Sequence, residues 1–157
     1  MLKIILLAII LLLGGGMQSI EAQTHLGTTQ CFSYASSINV INNDEKLTFN
    51  SEQQTFQQVI DCLKQITLDS HDMPAFSVSL DYETRQAIKS GLWLELEFNT
   101  LQSVNGLPFT ALLISVNSND SGFNLIRKFN GKYEGRCLYL SLEGDMTPLS
   151  EKLLSLY

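Results

Sequence analysis

Glu95 and Glu97 stand two residues apart with Trp93 before them, so in an extended strand all three project from one face. Paired carboxylates on a common face can do general acid–base work when their separation suits it. The same spacing also describes a solvated strand face, which is the preferred reading. Trp93 on such a face is either covered by a loop or helix, or is part of a binding surface, where Trp is enriched. The covered reading is preferred. Of the two histidines, His25 lies near the expected mature N-terminus, and His71 sits in the polar loop Asp69-Ser70-His71-Asp72. That loop could supply metal ligands, but the remainder of a site is not visible in the sequence. A catalytic triad needs side chains converging from separate elements, which neighbours in one loop do not provide. No catalytic residue, metal ligand or cofactor is therefore assigned.

The cysteines are Cys31, Cys62 and Cys137. In an oxidising compartment they predict one disulfide of undetermined pairing and one odd thiol, read as a core residue. Asn119-Asp120-Ser121 is a glycosylation sequon, placed between two predicted strands. Arg127, Lys128, Lys132 and Arg136 cluster about one hairpin of a chain with net charge −6. They protect an exposed edge by charge, or form a docking patch for an acidic partner or anionic glycan.

The compartment is read from the N-terminus. Lys3 precedes the apolar run Ile4–Leu13, then Gly14-Gly15-Gly16, then Ser19-Ile20-Glu21-Ala22 ending in a small residue. A charged start, a short apolar core and a small-residue exit predict a secretory signal peptide over 1–22. The mature chain, 23–157, is expected as a single α+β domain that is extracellular or, in a bacterium, periplasmic. Cleavage removes Lys3 and Glu21, so the charge stays at −6. An acidic body disfavours nucleic acid as a partner. No later apolar run has the roughly 20 residues that a membrane span needs.

The elements that must position these residues are legible to different degrees. Residues 23–50 are the least readable, with one or two short strands expected between Thr28 and Ile41 and a turn at Asn42-Asn43-Asp44. Ser51 to Thr67 predicts a helix, with Ser51 and Gln54 as a capping box and Phe56, Val59, Ile60, Leu63 and Ile66 on one face. A strand over Ala75–Leu80 and a short helix from Asp81 to Gly91 follow. Leu92–Phe98 alternates as a strand with one buried face, and Phe109–Val116 is a strand covered on both faces. A three-residue loop between them would pair Leu96 with Ile114. A two-residue loop on Asn105-Gly106 would set Glu97 opposite Ile114, so the three-residue loop is expected. At Asn130-Gly131 a two-residue loop places Arg127 opposite Glu134 and Phe123 opposite Leu138. A last helix starts at Thr147-Pro148, with Leu149, Leu153 and Leu156 on one side. The sum is an antiparallel meander of about four to five strands with one long and two short helices packed on it.

One segment carries a resemblance to a known family. Gln102-Ser103-Val104-Asn105-Gly106 fits the Gln-x-Val-x-Gly pattern and resembles the cystatins, secreted inhibitors of papain-like cysteine proteases. In that family the pentapeptide is a hairpin loop that enters the protease cleft beside a glycine-bearing N-terminal segment and a second hairpin loop. The resemblance implies an interaction edge built from Gln102, Val104, Gly106, Phe129, Asn130 and Gly131, with Gly27 in the N-terminal segment. The chain departs from the family in offering Phe129 where the second loop usually carries Pro-Trp. It departs again in placing extra elements between the long helix and the pentapeptide, and in lacking the paired C-terminal disulfides. The leading functional expectation is a secreted, non-enzymatic domain that binds a protein, a glycan or a small apolar ligand. The alternatives are a cystatin-like inhibitor of a papain-like protease and a small secreted hydrolase using His71 with nearby Asp residues, or Glu95 with Glu97.

Overall fold

The computed structural model describes residues 27–68, 71–77, 90–116, 122–141 and 145–157, with backbone only at 71–77, 122–124 and 134–141. The signal segment, His25, residues 81–89 of the helix expected over 81–91, and Asn119 lie outside the described residues, as do the side chains of His71, Glu134, Arg136 and Cys137.

A short helix α1 (Thr28–Cys31) continues into a 3₁₀ turn at Phe32–Tyr34. Strands β1 (Ser37–Asn42) and β2 (Glu45–Asn50) form the first hairpin. Its turn residues Asn43 and Asp44 take φ of 47° and 71°, the left-handed region that Asn and Asp tolerate best after glycine. Helix α2 (Gln54–Ile66) follows, then β3 (His71–Ser77), β4 (Leu92–Val104), β5 (Leu107–Ser115), β6 (Gly122–Phe129), β7 (Lys132–Ser141) and helix α3 (Thr147–Leu154). All seven strands join one antiparallel sheet in the order β2-β1-β4-β5-β6-β7-β3. The α+β class is as expected, and the strand count is higher. β2, a half-exposed edge strand, matches none of the expected strands, although Leu47 and Phe49 alternate with polar residues along it.

The helical layer covers one face of the sheet. Phe56, Val59, Ile60 and Leu63 of α2 and Leu149 and Leu153 of α3 are buried with Ile38, Val40, Leu94, Leu96, Leu112, Ile114 and Leu125. The apolar stripe of α2 is the one that the helical spacing predicts. Its start is not. Ser51 donates its N–H to the carbonyl of Ser36 (3.0 Å), and the Asn50 side chain accepts from Glu52 N–H (3.2 Å). These bonds hold the chain in a turn through residue 52, so Gln53 is the N-cap and no Ser51 capping box forms. At the other terminus, the Tyr157 hydroxyl donates to the carbonyls of Val40 (2.9 Å) and Glu45 (3.2 Å), tying the end of the chain to the first hairpin.

The β4–β5 register corrects the expected loop. Val104 faces Leu107, a two-residue turn with Asn105 at φ 51° and Gly106 at φ 73°. A bulge between Glu97 and Gln102 then resets the pairing, so Leu96 faces Leu112 and Leu94 faces Ile114. The two-residue loop and the buried face are both kept, because the bulge absorbs the register difference. At β6–β7 the two-residue loop forms, with Phe129 facing Lys132. A second bulge, between Ile126 and Lys128, sets Phe123 opposite Leu140 instead of Leu138 and removes Arg127 from its expected pairing with Glu134.

The expected disulfide is not formed. Cys31 is buried in α1, where its thiol donates to the Thr28 carbonyl (2.8 Å), and Cys62 is half-buried on α2. Neither is bonded to another sulfur. Every pairing of Cys31, Cys62 and Cys137 would need at least one of these two. Placement separates Cys137 from the other two, since Cys31 and Cys62 belong to the helical layer and Cys137 lies on β7, paired in register with Ile126.

Candidate functional site

Because Leu94 and Leu96 turn toward the helices, Trp93, Glu95 and Glu97 project from the opposite face of β4. Register places Asn39 of β1 beside Glu95, and Thr48 of β2 beside Asn39. Leu113 of β5 and Ile126 of β6 continue the row on the other side. Tyr133 of β7 reaches Glu95 over β5 and β6, its hydroxyl donating to Oε1 at 2.8 Å. In a flat sheet β4 and β7 would lie about 14 Å apart, at three spacings of about 4.8 Å. The contact therefore requires a strongly coiled sheet, concave on this face. The bulge at Arg127 supplies local bend and twist next to Lys128.

Glu95 is the centre of this face, 1% exposed. Its Oε1 accepts from Tyr133 and from the Lys128 ammonium (3.1 Å), and its Oε2 accepts from Asn39 Nδ2 (2.7 Å). Asn39 Oδ1 in turn accepts from the Thr48 hydroxyl (2.7 Å), and the Lys46 ammonium stands 3.8 Å from Oε2. Burial pushes the Glu95 carboxyl up, but the hydrogen bonds from Tyr133 and Asn39 and the Lys128 charge outweigh it and hold the group below the usual carboxylate range. Burial and the same carboxylate push the Tyr133 phenol well above its ordinary value. The network thus keeps one ionised carboxylate and one neutral phenol. It holds a charge in place rather than moving a proton.

The solvated-face reading of Glu95 is overturned. Trp93 is covered as expected: it is 6% exposed, packs with Leu113 and Ile126, and donates Nε1–H to the Ser90 carbonyl (3.1 Å). The local basic cluster is largely dissolved. The Arg127 guanidinium is buried and donates to the Pro108 carbonyl, and Lys128 turns inward to Glu95. Asn39 and Tyr133 are functional candidates that the sequence reading missed, and Lys128 was read only as part of the basic hairpin. The facing of Lys128 and Tyr133 was available from the Asn130-Gly131 turn, whereas the Asn39 contact was not.

Toward the hairpin end the concave face opens into a polar groove. One hollow of about 250 Å³ is lined by Ser37, Glu97, Asn99, Thr110 and Lys128, among others. A second, about 420 Å³, is lined by Ser36, Ser37, Asn50, Ser51, Glu52 and Asn99. They share Ser36, Ser37 and Asn99, and so adjoin along a polar groove. Glu97 Oε2 accepts from the Ser37 hydroxyl (3.1 Å), and the Thr110 hydroxyl donates to the Lys128 carbonyl (3.2 Å).

The Asn105-Gly106 and Asn130-Gly131 turns emerge at the same end of the sheet, since β4 to β7 alternate in direction. Within the pentapeptide, Val104 is buried in the core and the Gln102 amide folds back on the Thr100 carbonyl and hydroxyl (3.1 and 2.8 Å). Asn105, Gly106, Asn130 and Gly131 are exposed, and Phe129 is half-buried. Gly27 caps α1, and Thr29 and Gln30 of that helix line a hollow together with Lys64 and Thr67 at the end of α2. No described helix is long and apolar enough to cross a membrane. Comparison with protein-family models, curated proteins and solved structures finds no match.

Proposed function

We propose that this chain is a secreted, non-enzymatic binding domain, extracellular or periplasmic, that receives a polar ligand in the groove from Glu52 to Lys128. The observation that carries this reading is the junction of the two hollows over Ser37 and Asn99, next to an ammonium fixed by a buried carboxylate. Hydroxyls, amides, two carboxylates and one cation line it, which suits a peptide or glycan better than an apolar molecule. An ionised Glu95 that already accepts three hydrogen bonds argues for a positioned charge and against a general base, so the hydrolase reading has less support.

The test is an NMR titration of the purified chain with a panel of amino acids, oligosaccharides and short peptides, repeated with Asn99→Trp, which fills the junction. A ligand that moves the Ser37, Asn99 and Lys128 resonances and is lost in Asn99→Trp supports the reading. A panel that moves none of them, or binding indifferent to the filled junction, refutes it.

A second reading, the cystatin-like inhibitor, is supported by the two turns sharing one end of the sheet. It predicts inhibition of papain by the purified chain that is lost in Gly106→Glu. Absence of inhibition by the folded wild type would remove it.

A further inference from the structure

The edge of β4 beyond Glu97 is unlike the rest of the sheet. β1 pairs with β4 only from Leu92 to Glu97, and the Ser36 N–H makes the last bond on that side, to the Glu97 carbonyl (2.8 Å). From Phe98 to Val104 no described strand pairs with β4 on the side of β1. Pro108 has no N–H, so Ser103, which faces it, belongs to a non-hydrogen-bonded pair and directs its own N–H and C=O away from β5. At Ser103 the backbone is a template for one more strand, while Phe98 to Leu101 lie in the bulge and are in register with neither β1 nor β5. The 420 Å³ hollow beside Asn99 lies where β1 would continue if it were longer.

We propose that this edge, Phe98 to Val104, takes up an extended, basic peptide segment of a partner protein as an added strand in line with β1. The proposal rests on the groove reading above and names its partner class. Two features select this occupant. Phe98-Asn99-Thr100-Leu101-Gln102-Ser103-Val104 contains no charge and no proline, the residues that block strand addition, whereas the other described edge on this flank, β2, carries Glu45 and Lys46. The hollow is bordered by the Glu52 carboxylate and shares Ser37 with Glu97, and no cation lines it. A basic side chain on the incoming strand would meet these carboxylates, and main-chain hydrogen bonds would supply the general affinity. Leu101, 56% exposed, gives an alternate apolar residue of the peptide a surface to rest on.

The experiment titrates the isotopically labelled full chain with three short peptides: alternating Val and Lys, alternating Val and Glu, and the Val–Lys peptide N-methylated at every second residue. The Val–Lys peptide is expected to move the Asn99, Leu101 and Ser103 amides and to bind at least about tenfold more tightly than the Val–Glu peptide, with the N-methylated peptide inert. Leu101→Lys, an exposed change that leaves folding intact, should weaken the Val–Lys peptide by about tenfold, and Leu101→Gln by much less. Equal binding of the acidic and basic peptides, or binding of the N-methylated one, overturns the proposal. So does a concentration-dependent dimer that protects the same amides without peptide, which would make a second copy the occupant. If an amino acid or oligosaccharide moves Asn99 and Lys128 while the Val–Lys peptide does not, the groove reading stands and this proposal alone falls. If nothing moves them, both fall.

Discussion

Glu95 and Leu96 are neighbours on one strand, both essentially inaccessible, at 1% and 0% exposure, yet they are buried by opposite means. Leu96 faces a helical layer whose contacts are many, apolar and interchangeable. Glu95 faces the hollow of the sheet, where its burial depends on a few directed bonds from Asn39, Lys128 and Tyr133. The helix side should therefore lose stability in proportion to the volume removed, whatever the pH. The concave side should be sensitive to the identity of single atoms and to protonation.

The largest effect is expected on the helix side. Leu96→Ala should cost about 4 kcal/mol in urea unfolding, with the same loss at neutral and mildly acid pH. A loss that varied strongly with pH would show that the two faces are not independent. On the other face Glu95→Ala should cost about 3 kcal/mol at pH 7, because it strands the Asn39 amide, the Tyr133 hydroxyl and a half-buried ammonium. Its pH dependence has a definite direction. The folded carboxyl titrates below its unfolded value of about 4.3, so the unfolded state binds the proton more readily. The stabilisation is fully present above the unfolded value and is lost as pH falls through the folded one. Wild type and Glu95→Ala should thus converge in stability in acid, and parallel curves down to low pH would break the comparison.

A subtler change sharpens it. Glu95→Gln keeps an acceptor for Tyr133 and Lys128 but turns an amide N–H₂ toward the Asn39 amide. Asn39 can relieve this by rotating its amide, because the Thr48 hydroxyl that now donates to Asn39 Oδ1 can equally accept. The cost should be about 1.5 kcal/mol, without the acid dependence. Thr48→Val removes one Asn39 bond in either background, from Oδ1 beside Glu95 and from Nδ2 in the rotated arrangement. The double variant should therefore cost about the sum of the two singles in a double-mutant cycle. A marked departure from the sum would mean that Asn39 is not the only link between positions 48 and 95.

The two faces were also unequally legible. The apolar stripe of α2 follows from residues three and four apart, and the face of Leu94 and Leu96 from strict alternation, so both are local patterns. The Glu95 network joins residues separated by 56, 38 and 33 positions in the chain, and one of them, Asn39, sits in the segment least readable from sequence. Glu95 alternating with leucines is what a solvated face would also look like. The bulges were hidden for a related reason. A bulge interrupts periodicity, so an argument built on periodicity trades it for a change of loop, as at Asn105-Gly106. Beyond Glu97 no described strand pairs with β4 on the side of β1, because β1 begins at Ser37, and that start is not a local pattern either.

The smallest expected effect marks the outer limit of the buried network. Lys46 lies on the edge strand β2, 49% exposed in its side chain, with its ammonium 3.8 Å from Glu95 Oε2. That oxygen already accepts from Asn39, and the other accepts from both Tyr133 and Lys128. Lys46 therefore adds a solvent-screened attraction to a carboxylate that already accepts three hydrogen bonds. Lys46→Ala should cost about 0.3 kcal/mol at low ionic strength, and the difference should vanish in about 0.5 M salt. Lys128→Ala, by contrast, removes a direct bond from a half-buried ammonium, and should retain most of its cost in the same salt. If the two lysines responded alike to salt, solvent would reach Glu95 from both sides. The concave face would then be an ordinary charged surface rather than a buried site with its own chemistry.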